Sequence, residues 1–92
     1  MKVLWTAPAA NQLSEIFEYI SADNPAAAAR MVRRIRNSVH QTAKMPNAGR
    51  MGRVVGTREI VVANYLVAYR VHEGAIQVLA VLHGAQQWPE SF

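Results

Sequence analysis

The sequence contains no cysteine, and this single absence removes several classes of function. Without thiols the chain has no disulfide framework, no cysteine-based zinc site and no thiol nucleophile. Charged residues are also scarce, at 17% of the 92 residues against 51% hydrophobic residues, which argues against a disordered tail. No window approaches the roughly 18 continuous apolar residues of a membrane span, and the first residues lack the apolar stretch of a signal peptide. We therefore expect one small soluble domain over residues 1–92, with residues 84–92 as a C-terminal tail.

Acidic residues are missing from one long segment. No Asp or Glu lies between Asp23 and Glu59, and eight of the ten Lys and Arg residues fall there. Such segregation produces a positive field that attracts nucleic acid or an acidic protein. The arginines at positions 30–36, taken alone, are better explained as the solvated face of an amphipathic helix. That alternative suits those at positions 50–58 less well, because they lie in a glycine-rich stretch.

Two helices are predicted in the first half, where apolar residues recur every three to four positions. A short strand at residues 2–6 precedes them. Thr6 is suited to cap the first helix. Asn24 followed by Pro25 forms a cap and first-turn pair for the second helix, which extends to about Met45. The short connection between the helices predicts an antiparallel hairpin.

After a loop around Pro46 and Gly52 the apolar period changes to two. Strands are predicted at residues 54–62, 65–72 and 75–83, and tight turns join them into an antiparallel meander. The order β-α-α-β-β-β predicts an α+β fold with the helical hairpin packed on one face of an antiparallel sheet.

The last predicted strand is apolar at both odd and even positions. An antiparallel sheet with one solvated face should instead alternate cleanly. Because the helical hairpin covers only one face, the second face needs another cover. Either a protein partner binds there, or the C-terminal tail folds back over it with Trp88.

Few residues are suited to catalysis. The three histidines lack the spacing of metal ligands, so we expect no metal site, and the glycines do not form a phosphate loop. If Arg58 and His83 lie on neighbouring strands of one face, they are able to bind a phosphate, and His83 is able to move a proton. The alternative for Arg58 is an ion pair with Glu15, Glu18 or Glu59. For His83 the alternative is a hydrogen bond that holds the start of the tail.

Seven short motifs run in order along essentially the whole chain. They are Trp5 at the end of the first strand, residues 13–20, Asn24-Pro25, P-N-A-G-R at 46–50, G-T-R-E at 56–59, Y-L-V-A-Y-R-V at 65–71 and V-L-H-G-A-Q-Q-W-P at 81–89. Together they resemble the RelE/ParE superfamily of type II toxin–antitoxin toxins, specifically the ParE or plasmid-stabilisation branch.

The resemblance implies a bacterial, cytoplasmic toxin that needs no cofactor. It also implies a cognate antitoxin, whose C-terminal segment wraps the toxin and neutralises it, forming a hetero-oligomer. In ParE toxins the target is DNA gyrase, trapped with cleaved DNA. In RelE toxins the target is mRNA in the ribosomal A site, which is cut without a metal.

The polar residues distinguish the two branches. If the chain were RelE-like, Arg58 and His83 would be its catalytic residues. Many RelE toxins carry an arginine where this chain has Leu66, and a C-terminal tyrosine where it has Trp88-Pro89. With Arg58 as the only positive charge at such a site, the phosphate transition state would be poorly stabilised.

We therefore expect a gyrase poison that makes and breaks no bonds itself. Arg50, Arg53 and Arg58 are the candidates for contacts to the target or to DNA phosphate, and Trp88 is the candidate apolar anchor. A ribosome-dependent mRNA endonuclease is the alternative. A third alternative is an inactive homologue that serves only as the partner of its antitoxin.

Overall fold

A computed structural model describes residues 1–84, 88–89 and 91–92 of the chain. Within these residues it contains two helices and five strands. In chain order they are β1 (Lys2–Trp5), α1 (Ala7–Ser21), α2 (Pro25–Lys44), β2 (Arg50–Met51), β3 (Arg58–Val62), β4 (Tyr65–His72) and β5 (Ala75–His83). The predicted α+β architecture, with a helical hairpin on one face of a sheet, is confirmed.

Both predicted helix caps are confirmed. The Thr6 hydroxyl accepts a hydrogen bond from the Ala9 N–H (3.4 Å) and donates one to the Val78 carbonyl of β5 (2.8 Å), so one side chain both starts α1 and ties it to the sheet. The Asn24 side chain accepts from the Ala27 N–H at 3.1 Å and starts α2. In the described part of the chain neither helix is long and apolar enough to cross a membrane.

The sheet is mixed, with the strand order β1-β5-β4-β3-β2. Strands β3, β4 and β5 form the predicted antiparallel meander. The edge strand β1 instead pairs parallel to β5, so the prediction of a purely antiparallel sheet is wrong at this edge. The apolar period identifies a strand but carries no information on the direction of its neighbour, which is why the sequence did not predict this pairing.

The predicted strand 54–62 begins only at Arg58. The residues before it form a turn, in which the Thr57 N–H and hydroxyl both donate to the Val54 carbonyl (3.1 and 2.6 Å) and Gly56 adopts a φ of 81°. The unpredicted two-residue strand β2 pairs antiparallel with the start of β3. The glycine-rich loop is therefore an ordered extension of the sheet edge.

A register shift in β5 changes which parity of that strand faces the main core. One extra residue, Leu79, lies between the positions that pair with successive residues of β4. Such a bulge reverses the facing of every later side chain. Val78 and Val81 both pack in the core beneath the helices, whereas Ala80 and Leu82 pack in a second cluster.

The main core lies between the helices and the inner face of the sheet. It is built on side chains with almost no exposed surface, among them Ile35, Val39, Val67, Tyr69 and Ile76. The opposite face of the sheet, called the outer face below, carries the smaller cluster. This outer face holds the candidate site.

Candidate functional site

A buried carboxylate organises the outer face. Glu59 pairs with Ala68 across β3 and β4, which puts it on the same face as the small apolar cluster, and its side chain is only 3% exposed. The carboxylate accepts hydrogen bonds from the Arg53 N–H (2.9 Å), from Arg53 Nε (3.4 Å) and from Arg50 Nη2 (3.2 Å). Two of the predicted target-binding arginines are thus held together by one anion that the sequence did not identify as functional.

Opposing influences act on the pKa of Glu59. Burial of the carboxyl group raises the pKa, because a charge is poorly solvated there. The hydrogen bonds from the Arg53 N–H and the Arg50 side chain, together with the positive charge of both guanidiniums, outweigh burial and hold the pKa below its ordinary value of 4.5. Glu59 is therefore ionised at neutral pH, as a binding group for two arginines must be.

Arg53 joins this cluster to the C-terminal tail. Its guanidinium carbon lies 4.2 Å from the centroid of the Trp88 ring, within the range of a cation–π contact. The half-buried Trp88 packs on Ala68, Ala80 and Leu82. The prediction that Trp88 folds back over the second sheet face is confirmed, while residues 85–87 and 90 of the predicted tail lie outside the described residues.

The Trp88 indole N–H is a buried hydrogen-bond donor. Its Nε1 atom is buried and has no hydrogen-bond partner within residues 1–84, 88–89 and 91–92. The tryptophan is therefore held on the outer face by apolar contact and by the arginine above it, without a directional bond to the sheet.

Arg58 lies on the other face of β3. It pairs with Tyr69, whose side chain belongs to the main core, and its Nη1 donates to the carbonyls of Asn47 (3.1 Å) and Gly49 (2.8 Å). Among the described residues it forms no ion pair, so the predicted pairing of Arg58 with a glutamate is wrong. Neighbouring residues of a strand face opposite sides, which leaves the Glu59 carboxylate out of its reach.

Tyr69, like Arg58, forms hydrogen bonds to the backbone of the loop at residues 46–49. The Tyr69 hydroxyl donates to the Pro46 carbonyl (2.7 Å) and accepts from the Gly49 N–H (3.1 Å). A Cβ atom added to Gly49 would collide with that hydroxyl, so only glycine fits there. Both side chains hold the P-N-A-G-R loop that delivers Arg50 to the outer face.

Arg58 and His83 are not brought together. The sequence placed the two residues on neighbouring strands, but β4 separates β3, which carries Arg58, from β5, which carries His83. Arg58 lies opposite Tyr69 and His83 lies opposite Tyr65, four residues apart along β4, or roughly 13 Å at 3.3 Å per residue. His83 meets the Tyr65 ring edge-on, with centroids 5.8 Å apart. Its predicted hydrogen bond to the tail stays a prediction.

Metal ligands are not grouped in the part of the chain that the structure describes. There, no set of three or more His, Asp or Glu residues is placed to hold an ion. The outer face itself presents charge, hydrogen-bond donors and an aromatic surface.

Comparison with known proteins adds the family. Residues 3–88 match the family model described as the ParE toxin of the type II toxin–antitoxin system parDE. The chain belongs to the ParE toxin family. The resemblance seen in the sequence motifs is confirmed, and this ParE-like protein is a toxin of a type II toxin–antitoxin system.

Two relatives agree with that assignment. The ParE-like chain is 43% identical over 91 residues to Y4kP of Sinorhizobium fredii, named as a candidate toxin, covering 97% of this chain and 94% of Y4kP. It is 31% identical over 85 residues to toxin RelE2 of Caulobacter vibrioides, covering 92% of this chain and 97% of that toxin.

The fold is similar to that of a chain from the chromosomal ParDE TA system of P. aeruginosa. The TM-score is 0.80 at 27% identity, with 90% of this chain and 95% of the other covered. The fold is therefore shared over about nine tenths of this chain.

Proposed function

We propose that this toxin poisons DNA gyrase, using a site formed by Arg50, Arg53 and Trp88 on the outer face. The observation that carries the proposal is the binding of the Arg50 and Arg53 side chains by the Glu59 carboxylate, an arrangement that we call the Glu59 clasp. The clasp fixes the two arginines beside the Trp88 ring. Arginine and tryptophan are the residues most enriched among those that dominate binding energy in protein interfaces. A fixed arrangement also loses less conformational entropy on binding than free side chains do.

The two arginines retain donors for a partner. Each guanidinium has five N–H donors, and within the described residues Glu59 engages one of them on each side chain. The side chains of Arg50 and Arg53 are 57% and 46% exposed. Their outward-facing N–H groups suit a phosphate of DNA or a carboxylate of a protein target.

The proposed mechanism is differential binding. A ligand shifts an equilibrium only by as much as its affinities for the two states differ. A toxin that binds gyrase with cleaved DNA more tightly than gyrase with resealed DNA therefore accumulates the cleaved form. The toxin itself makes and breaks no covalent bond.

A ribosome-dependent mRNA endonuclease is the second candidate, and the identity to toxin RelE2 is the observation that favours it. That activity would assign the proton transfer to His83 and the phosphate to Arg58. Their separation by four residues along β4, and the two hydrogen bonds that Arg58 donates to loop carbonyls, weigh against it. The third candidate is an inactive homologue that only binds its antitoxin.

The cognate antitoxin is proposed to bind across the helical hairpin on the other side of the molecule. A groove of about 530 Å³ lies there, lined by apolar side chains that include Trp5, Phe17 and Val32, together with the charged side chains of Glu18 and Arg36. Apolar walls of this kind suit an amphipathic segment, whose acidic residues would pair with Arg36. Such a segment in the cytoplasm would gain order on binding.

The antitoxin groove is tested by binding of the cognate antitoxin to toxin variants. We expect Phe17→Ser to weaken binding at least about tenfold, since a buried apolar contact of this size contributes over 1 kcal/mol. Tyr19→Ser is the matched control on the same helix, because Tyr19 is 81% exposed and lies outside the groove. Equal affinity of the Phe17→Ser variant and the wild type would place the antitoxin elsewhere.

The gyrase site is tested by cleavage of supercoiled plasmid in the presence of gyrase. Neutralising both arginines alone would leave a buried, unpaired carboxylate, so the informative variant is R50Q/R53Q/E59Q, which removes all three charges together. The Lys2→Gln variant has the same formal net charge and serves as the control.

We expect linear DNA to accumulate with wild-type toxin and with the control, and at least about tenfold less with the triple variant. Melting curves show whether each variant is folded. A folded triple variant with wild-type activity would remove the clasp from the site. Failure of the wild type itself to trap cleaved plasmid would refute the gyrase proposal.

A further inference from the structure

The solvent-facing side of α2 carries a second positive surface, separate from the outer face. It comprises residues about one helical turn apart, and we call it the α2 basic face. Its members are Arg30, Arg33, Arg34, Asn37, Ser38 and Gln41, all exposed except the half-buried Ser38. Because the helices cover the inner side of the sheet, this surface points away from the Glu59 clasp.

No described acidic residue neutralises the charge of the α2 basic face. The sequence has no acidic residue between Asp23 and Glu59, and within the described residues none of Arg30, Arg33 and Arg34 forms an ion pair. Arg36, on the flank of the same helix, contrasts with them because its guanidinium lies over the Trp5 ring at 5.9 Å. Three like charges within two helical turns repel each other, which destabilises the helix. Binding of an anionic partner reduces this repulsion.

The composition of this surface favours nucleic acid over protein as that partner. The energetic centre of a protein interface is normally an apolar or aromatic anchor. The α2 basic face has none, and its neutral members are asparagine, serine and glutamine, which with arginine commonly bind phosphate and sugar. Contacts of this kind position a protein on a nucleic acid without reading bases.

The absence of aromatic side chains favours a duplex over a single strand. Single-stranded nucleic acids are usually held by stacking their bases on aromatic rings, and α2 contains no Phe, Tyr or Trp. From Arg30 to Gln41 the helix rises about 17 Å, which matches about five base pairs of B-DNA. We propose that the α2 basic face binds the phosphate backbone of duplex DNA without sequence specificity. This inference goes beyond gyrase poisoning and does not depend on it.

The test is fluorescence anisotropy of a labelled duplex of about 24 base pairs, titrated with the full chain between about 50 and 200 mM salt. The variant R33Q/R34Q removes two charges from the α2 basic face. The control K2Q/R70Q removes the same formal charge from β1 and from the outer face. The slope of log affinity against log salt is negative, and each lost phosphate contact reduces its magnitude by about 0.9. We expect R33Q/R34Q to reduce this magnitude by roughly 2 and to weaken binding at the lowest salt at least tenfold, while the control keeps the wild-type slope.

Several outcomes would overturn the proposal. Equal changes of slope in both variants would mean that only net charge matters. No duplex binding by the wild type at the lowest salt, or equal or tighter binding of the single strand of the same sequence, would exclude duplex DNA as the ligand. Displacement of the duplex by polyglutamate at an equal concentration of charges would point to an acidic protein instead. Melting curves of both variants confirm that the chain is folded in each comparison.

Discussion

Replacement of the buried carboxylate, Glu59→Gln, tests the clasp most sharply. The glutamine keeps one oxygen, which is still able to accept from the Arg53 N–H, but it places an NH₂ donor against the guanidiniums and removes the negative charge. Hydrogen bonds to charged groups contribute about 1.5–3 kcal/mol each, and the half-exposed arginines recover part of the loss from water. We therefore expect a loss of about 2 kcal/mol in the free energy of unfolding, or roughly 8–16 °C in Tm for a domain of this size.

The loss should depend on pH with a defined sign. The pKa of Glu59 is lower in the folded protein than its ordinary value of 4.5. Its stabilisation is therefore fully present above that ordinary value and is lost as the pH falls through the lowered one. The free energies of wild type and Glu59→Gln should differ fully at pH 7 and converge progressively as the pH falls below 4.5.

Urea denaturation followed by tryptophan fluorescence measures both effects. Glu15→Gln changes the formal charge by the same amount at an exposed site on α1, so it controls for net charge. A difference below about 0.5 kcal/mol at pH 7 would refute the clasp as a stabilising element, since surface substitutions fall in that range. A difference that stays constant down to pH 3 would show that the carboxylate charge is not its cause.

Three further substitutions test the framework that supports the site. Gly49→Ala should lower the free energy of unfolding by about 2–3 kcal/mol, because the added Cβ collides with the Tyr69 hydroxyl. Gly84→Ala is the control, since a Cβ there has no close neighbour, and it should lower the free energy of unfolding by under about 1 kcal/mol. Equal losses in the two variants would contradict the packing argument. Thr6→Val keeps the shape but removes the hydroxyl that links α1 to β5, so chemical denaturation should show a loss of about 1–2 kcal/mol. Asn24→Ala should cost about 1 kcal/mol by the same measurement, and no loss would mean that this cap does not stabilise α2.

Local features of the fold were predictable because they depend on neighbouring residues. The caps at Thr6 and Asn24 and the three meander strands follow from side-chain chemistry and apolar period within a few positions. The bulge at Leu79 was not predictable in this way, since it depends on pairing with β4. The predicted second apolar face exists, because Ala80 and Leu82 form a cluster under Trp88, whereas the change of facing that puts Val81 in the main core was not predicted.

The candidate site was predictable in its members but not in its organisation. Arg50, Arg53 and Trp88 were identified from residue type, and the structure brings them together. Glu59 was missed because an isolated acid at the end of a basic segment is typical of a solvated strand position. The signal available was its place as the only acid near several arginines, but only the pairing of β3 with β4 shows that it faces the outer cluster. Arg58, by contrast, has the residue type of a site member and the contacts of a loop support.

The most direct measurement incubates the purified toxin with gyrase and supercoiled plasmid, then denatures the protein and separates the DNA on a gel. The account predicts linear plasmid in amounts that rise with toxin concentration and fall when the cognate antitoxin is added. Intact plasmid at every toxin concentration, together with cleavage of ribosome-bound mRNA by the same preparation, would contradict it.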